Sequence, residues 1–370
     1  MRLLHTADWH LGKTLKGQNL LDDQKFILDE IFHIIDDERL DAILIAGDVY
    51  DRGVPPIDAV ELFNETLTKL AEKNFPTLII SGNHDSATRL NFGNKIFERQ
   101  NIFIAAKVSD VPKTVVLEDS FGEIYFSMIP YFEPGEIKSK FFTADAERPT
   151  YNAANKFYVD LARQQIPHGK RSVAMAHVFL TGGDESDSER KIVGTLSNVD
   201  ANIFDDYNYV ALGHLHRPQK FYSGSPLKYS FDEANQKKSV TIVDIDGTGA
   251  AHVEKIPLTP KRDVKVVSGT FDELKNREPV QDYVQIILTD AAYVYETELL
   301  RDAFPNFLEV KRENHLKSYD DAPTNNFRKE DSISEQFTKF FESVTKEPLT
   351  DEERTAFEEF LREMEREDRE

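Results

Sequence analysis

The 370-residue chain contains no cysteine. That absence excludes disulfides, thiolate metal sites and cysteine nucleophiles together, so any metal must be held by nitrogen and oxygen. Long apolar runs are missing too. No window approaches the roughly 18 apolar residues of a membrane span. The opening Met1-Arg2-Leu3-Leu4-His5 is not a basic stretch leading into an apolar core, so the expectation is a cytoplasmic protein with no membrane association. Positive charge is scarce: 45 Lys and Arg stand against 66 Asp and Glu, a net charge of -21. Coating nucleic acid unaided requires Lys and Arg to displace counterions, so any such attraction would have to come from local basic loops or from a partner. Part of the imbalance is regional, since residues 331–370 carry fourteen acidic and six basic side chains, the composition of a solvated helix face.

What is present describes a globular protein with a sizeable core. Hydrophobic residues make up 40%, charged residues 30%, and phenylalanine occurs 26 times. The length exceeds that of one hydrophobic core, which implies one large domain with appendages. From Met1 to about Asp246, short apolar runs alternate with helical stretches, as in a layered α/β domain. Residues 57–73 and 86–100 read as amphipathic helices, and residues 184–190 as an acidic loop that needs no catalytic role. The stretch from Gly247 to Pro260 reads as a hairpin and a boundary. Beyond it, strands at 263–268, 283–288 and 308–312 enclose helices at 271–277 and 295–303, a small α+β unit. A polar linker over 315–331 precedes two short helices. The first carries Ile333, Phe337, Phe340, Phe341 and Val344, and the second Phe357, Phe360, Leu361 and Met364, each at helical spacing. Thr350 and Glu353 form a capping box for the second. These stripes either pack on the main body or dock on a partner helix. The division is therefore 1–260, 261–314, 315–331 and 332–370.

Chemistry is concentrated where five apolar runs end. Leu3-Leu4 leads to Asp8-Trp9-His10, Ala42–Ala46 to Gly47-Asp48, and Thr77–Ile80 to Gly82-Asn83-His84-Asp85. Val173–Ala176 ends at His177, and Tyr209–Leu212 at Gly213-His214-Leu215-His216. In layered α/β proteins functional groups gather at the carboxyl ends of strands, so Asp8, His10, Asp48, Asn83, His177, His214 and His216 should meet at one edge. Seven N and O donors exceed one tetrahedral zinc site and suit two ions sharing a carboxylate. Two ions about 3.5 to 4 Å apart can activate water, clamp phosphoryl oxygens and stabilise both attacking and leaving oxygens, which together describe phosphoester hydrolysis. Singly, each of these histidines would more often be a satisfied structural residue than a ligand. The force of the pattern lies in its repetition. His5, His33, His168, His252 and His315 lack a partner motif.

The order DWH, GDVYD, GNHD, AHVF and GHLH resembles the calcineurin-like metallophosphoesterases over roughly residues 1–245. Within that superfamily, GDVYDRGVPP, GNHDSATRL and YSGSPLKYSFDEANQKKSV (residues 222–240) are similar to the SbcD family of nuclease subunits. The resemblance implies an α/β fold: a four-layer αββα domain, a small α+β capping domain for DNA recognition, and a C-terminal helical segment that binds the partner. It implies manganese-dependent exonuclease and endonuclease action on duplex DNA ends and hairpins, in a homodimer working with the coiled-coil ATPase SbcC. Two manganese ions are expected, with magnesium the weaker candidate. Asp8, His10 and His216 would hold one ion, Asn83, His177 and His214 the other, and Asp48 would bridge them. His84 resembles the family's proton donor to the departing sugar oxygen, with Asp85 to orient it. Some relatives carry a second histidine in the loop after the bridging aspartate; Asp51 stands there in this chain, and that role does not carry over. Lys13, Lys16, Arg52 and Arg89 are candidates for phosphate contacts, and 57–73 and 86–100 for the dimer contact. The alternatives are a small-substrate phosphatase or phosphodiesterase of the same superfamily, and a non-catalytic scaffold.

Overall fold

The computed structural model describes residues 1–189, 198–290, 297–313, 332–345, 348–350, 353–358 and 360–361. The chain forms two compact units, Met1–Ile287 with Ala292–Lys311, and Leu288–Ala291 with Arg312–Glu370.

In the first unit two sheets lie face to face between layers of helix. One has six strands in the order Ala251–Pro257, Ser239–Ile245, Arg2–Thr6, Ala42–Ala46, Thr77–Ile80 and Ile102–Ala105, the last four parallel. The other has four, Tyr209–Gly213, Arg171–His177, Gly122–Met128 and Lys113–Asp119, the first three parallel. Strands covered on both faces need apolar residues at every position, which is why Ala42–Ala46 is buried throughout. Its alternate residues serve different cores. Ile43 and Ile45 pack toward the helices with Leu4 and Ile79, whereas Ala42, Leu44 and Ala46 meet Met175, Ala211 and Phe126 between the sheets.

Helix Leu21–Asp37 covers the first sheet with Ile27, Leu28, Ile31 and Ile35, the spacing of one helical face. Helix Ile57–Lys73 adds Leu62, Phe63, Leu67 and Leu70 and stops at Asn74, whose left-handed backbone (φ 54°) caps it. The second sheet is covered by helix Tyr151–Arg163, whose first turn is capped by Thr150 accepting from the Ala153 N–H at 3.2 Å. This is the four-layer α/β arrangement. The residue 86–100 helix is interrupted, however: Ala87–Leu90 and Asn94–Phe97 are separate turns, parted at Gly93, whose φ of 73° no right-handed helix accommodates.

The strands Val264–Gly269, Tyr283–Leu288 and Phe307–Arg312 form a small third sheet with helix Phe271–Lys275 beside it. A full capping box, Thr270 with Glu273, starts that helix. Between 295 and 303 the described residues hold one tighter turn, Thr297–Arg301. This region is tied to the main body by buried Asp23, which accepts from Arg262 at 2.7 Å and from the Tyr283 hydroxyl at 2.8 Å. In the second unit, helix Ile333–Thr345 begins at a reciprocal Ser332–Glu335 cap, and residues 353–358 are helical behind the Thr350–Glu353 box. The two aromatic stripes meet there: Phe337 stacks on Phe357 with centroids 3.7 Å apart. The linker 315–331, His315 and Met364 lie outside the described residues. Among the described residues no helix is long and apolar enough to cross a membrane.

Candidate metal centre

Five strand ends deliver the site. Three belong to the first sheet and two to the second, and all point the same way along the sandwich. Asp8, His10 and His177 are wholly buried, Asp48, His214 and His216 almost so, and Asn83 is half-buried. Such a density of polar groups in a sandwich edge is costly unless each has a partner.

The side chains converge in two groups that share Asp48. In the first, Nε2 of His10 and Nε2 of His216 face each other at 3.0 Å, with Asp8 close enough for all three to hold one cation. In the second, Oδ1 of Asn83 lies 3.0 Å from His177 Nε2 and 3.1 Å from His214 Nδ1. Asp48 reaches both: its Oδ2 is 3.3 Å from His177 Nε2 and 3.6 Å from His10 Nε2. Two imidazole nitrogens aimed at one point within 3.0 Å suit a shared cation. All the donors are N or O, the set preferred by hard to borderline divalent ions.

The backbone is bent toward the same point. Four of the seven residues sit at positive φ, namely Asp8 (55°), His10 (46°), Asp48 (48°) and His214 (106°). Non-glycine residues in that region cost on the order of 1–3 kcal/mol each and persist where surroundings dictate them. Gly82 and Gly213 are required by closeness: a Cβ on Gly82 would fall 2.1 Å from Asp48 Oδ1, and one on Gly213 2.0 Å from the Ala46 carbonyl.

Burial and mutual charge set the protonation of the group. Burial works to raise the Asp48 carboxyl, but His177, His10 and His84 outweigh it and hold it well below the ordinary range. Asp8 goes the other way, pushed well up by burial. Burial drives His214 down to about 3 and lowers His10 and His216. Against its own burial, His177 is carried up to about 9 by Asp48 and Asp8. Neutral imidazoles at His10, His214 and His216 are the form that binds metals.

His84 stands half-buried beside the group, its ring edge-on to His10 with centroids 4.7 Å apart. Its Nδ1 bonds the Asp51 carbonyl at 2.7 Å, and its backbone N–H donates to Asp48 Oδ1 at 2.8 Å. The orienting role expected of Asp85 thus falls to the Asp51 main chain. Asp85 instead accepts from the N–H groups of Val49, Tyr50 and Gly82, because its side chain reaches across to the loop after Asp48 as well as to the start of its own loop. Burial and Asp48 push it up to about 7. Of the proposed phosphate contacts, Lys13 pairs with Asp51 at 2.9 Å, Lys16 with Glu309 at 2.9 Å, and Arg89 donates to the Gly53 carbonyl at 2.6 Å, while Arg52 is exposed. His5 is a satisfied core histidine, bonded to the Tyr209 hydroxyl and the Leu212 carbonyl, and His33, His168 and His252 are exposed.

Sequence reasoning missed the supports of this centre. The acidic loop credited with no role brings Ser188 and Glu189 onto His216: Ser188 Oγ is 2.6 Å from its Nδ1, and Glu189 accepts from its backbone N–H at 2.6 Å. Glu233 and Lys238 complete the surroundings, buried and paired at 2.5 Å. Gln24 holds the main chain of His10, donating to its carbonyl at 2.7 Å and accepting from Gly12 N–H at 2.9 Å. A signal for Gln24 existed: it occupies the apolar face of its helix, three residues before Ile27.

Residues 1–218 match the model of the calcineurin-like phosphoesterase family. The chain is 34% identical over 323 residues to the SbcD subunit of the nuclease SbcCD from Staphylococcus epidermidis, covering 84% of this chain and 85% of that protein. It is 35% identical over 326 residues to the same subunit from Staphylococcus saprophyticus, covering 84% of each. Among solved structures, the NAD nucleotidase of Haemophilus influenzae aligns with a TM-score of 0.39 at 13% identity, over 85% of this chain and 64% of the nucleotidase, so the chain spans less than two thirds of that protein.

Proposed function

The chain belongs to the calcineurin-like phosphoesterases and, among them, to the SbcD family, and from that premise we propose that it is a DNA nuclease using two manganese ions. Its substrates are duplex DNA ends and hairpins, and it works as a homodimer with the SbcC ATPase. The observation that carries the reading is the convergence of seven buried or half-buried N and O donors into two groups sharing Asp48.

Asp8, His10 and His216 would hold one ion, Asn83, His177 and His214 the other, with Asp48 common to both. When bound, the ions supply Lewis-acid activation of water and charge stabilisation at phosphorus. The chain's own residues supply the rest. The His84 backbone N–H keeps Asp48 aimed into the centre. With Nδ1 committed to the Asp51 carbonyl as donor, the opposite ring nitrogen of His84 is the one left to pass a proton to the departing sugar oxygen. The buried Tyr229 ring packs edge-on against both His10 and His216 and so fixes the attitude of the two imidazoles.

The partner assignments have their own support. Residues 261–314 are the proposed DNA-recognition cap and 332–370 the SbcC-docking segment, where Ile333 and Phe360 remain 64% and 56% exposed. Ile57, Val60, Phe92 and Ile96 are exposed on the two segments assigned to the dimer contact. The net charge of -21 leaves most of the DNA attraction to SbcC.

The test is a hairpin and linear-duplex cleavage assay with manganese, with and without SbcC and ATP. Cleavage abolished by EDTA is expected. Turnover of small phosphoesters with no DNA cleavage, even with SbcC, would replace this reading by a phosphatase. Removing residues 332–370 should weaken SbcC capture while leaving the thermal unfolding of the remainder unchanged; undiminished capture would reject the docking assignment.

A further inference from the structure

The described residues of the acidic loop and the segment after Tyr222 meet around one histidine. Ser188 Oγ sits 2.6 Å from His216 Nδ1 and hydrogen-bonds Glu233 Oε1. The same Glu233 oxygen lies 3.4 Å from the histidine and also accepts from Ser230 at 2.9 Å. The other oxygen of Glu233 is 2.5 Å from Lys238 Nζ. Lys238 is buried, and the three hydrogens of its ammonium are shared between that carboxylate and three further oxygens, the His216 carbonyl at 2.8 Å, Ser225 Oγ at 3.0 Å and Gln236 Oε1 at 2.9 Å. Glu233 is fully buried, and a buried carboxylate beside an ammonium is held ionised because each charge compensates the other.

The direction of every proton follows. An ionised carboxylate only accepts, so Ser188 donates its single hydrogen to Glu233. Having none left, Ser188 accepts from His216, which fixes the imidazole hydrogen on Nδ1. Nε2 is then a bare lone pair, and it is the atom facing His10 Nε2 at 3.0 Å.

We propose that Ser188, Glu233 and Lys238 are positioning residues, a relay that locks His216 in the tautomer needed to bind a divalent cation between Asp8, His10 and His216. The inference rests on the metal-centre reading above and deepens it. It makes one ion dependent on a side-chain hydroxyl twenty-eight residues away in sequence, whereas His177 in the other group has its Nδ1 held by the Ala46 carbonyl at 2.9 Å. Loss of a group that orients a metal-binding histidine costs about 10- to 100-fold in affinity.

The experiment is a manganese titration of the full chain by calorimetry, with thermal unfolding recorded for each variant and ¹⁵N-imidazole spectra taken without metal. The wild type is expected to bind two ions. Ser188→Ala should weaken one of them about 10- to 100-fold and leave the other unchanged; Ser188→Thr, which keeps the hydroxyl, should restore it. Glu233→Gln should repeat the selective loss, and because this buried change can also disturb folding, Ser188→Ala decides where the two disagree. In the metal-free spectra the wild-type His216 should be protonated on Nδ1, and Ser188→Ala should give a mixture. Two unchanged affinities, equal weakening of both ions, or an unaltered tautomer would overturn the relay. A wild type that binds no pair of ions would instead defeat the proposed function, while the metal-free spectra still decide the relay.

Discussion

The two ends of the centre are built from the same kinds of side chain but braced differently. At the Asn83 end the brace is main chain: the Ala46 carbonyl holds His177, Gly82 and Gly213 let neighbouring strands touch, and parallel pairing sets Gly213 opposite His177. At the His10 end side chains are added to the main-chain bonds that His10 makes with Asp48 and Lys13: Gln24 holds the His10 carbonyl, and Ser188, Glu189 and Glu233 surround His216. The difference teaches where variation is tolerated. A main-chain brace changes only if a strand moves, whereas a side-chain brace can be removed one atom at a time.

The comparison is broken most severely at the glycines. Gly82→Ala would drive a methyl into Asp48, and we expect no measurable nuclease activity and a marked fall in thermal stability; a wild-type-like variant would show that the main-chain brace yields. His84→Gln lies between the two ends and braces neither. It should lose about 10²- to 10⁴-fold in cleavage rate while calorimetry still finds two ions, and loss of an ion would make His84 a structural residue. Gln24→Leu leaves the Gly12 N–H without its partner and removes one of the two donors to the His10 carbonyl, which keeps the Lys13 N–H at 2.9 Å. A cost of roughly 1–3 kcal/mol per unsatisfied group is expected in denaturant melts, with the weaker ion being the one shared with His216; an unchanged melt would remove Gln24 from the brace.

The smallest effect concerns pH and lies outside both braces. Burial lowers His5 to about 3, so its folded form stays neutral while the unfolded chain takes up a proton near pH 6.5. The stability this contributes is complete above that value and declines as pH falls toward 3. Between about pH 6.5 and 5 the wild type should lose roughly 2 kcal/mol more than His5→Gln, at about 1.36 kcal/mol per unit. Equal slopes in denaturant melts at the two pH values would show that His5 does not titrate in this way.

Most of the layered domain is legible in the sequence because its strands are short, apolar and terminated by polar residues, and the ends of parallel strands gather on one edge. Asp8, Asp48, Asn83, His177 and His214 can be picked out for that reason alone. The supports are not legible. Glu233 and Lys238 fall in the 222–240 segment that carries the family resemblance, but a sequence does not display the burial that makes them a pair. The residue 86–100 stretch reads as one helix because a single glycine, Gly93, interrupts an otherwise regular apolar spacing. Adjacency suggests Asp85 as the partner of its neighbour His84, but consecutive residues in a tight loop point apart, and its carboxylate serves three main-chain groups instead.

Those three bonds have a wider consequence. Asp85 clips the loop after Asp48 to the loop that carries His84, and the His84 N–H clips it again through the Asp48 side chain. Doubly fastened, the two loops behave as a single rigid anvil. Under the proposed partnership with an ATPase, regulation would act on how the DNA strand is delivered to this surface, not on assembling and dismantling the surface itself.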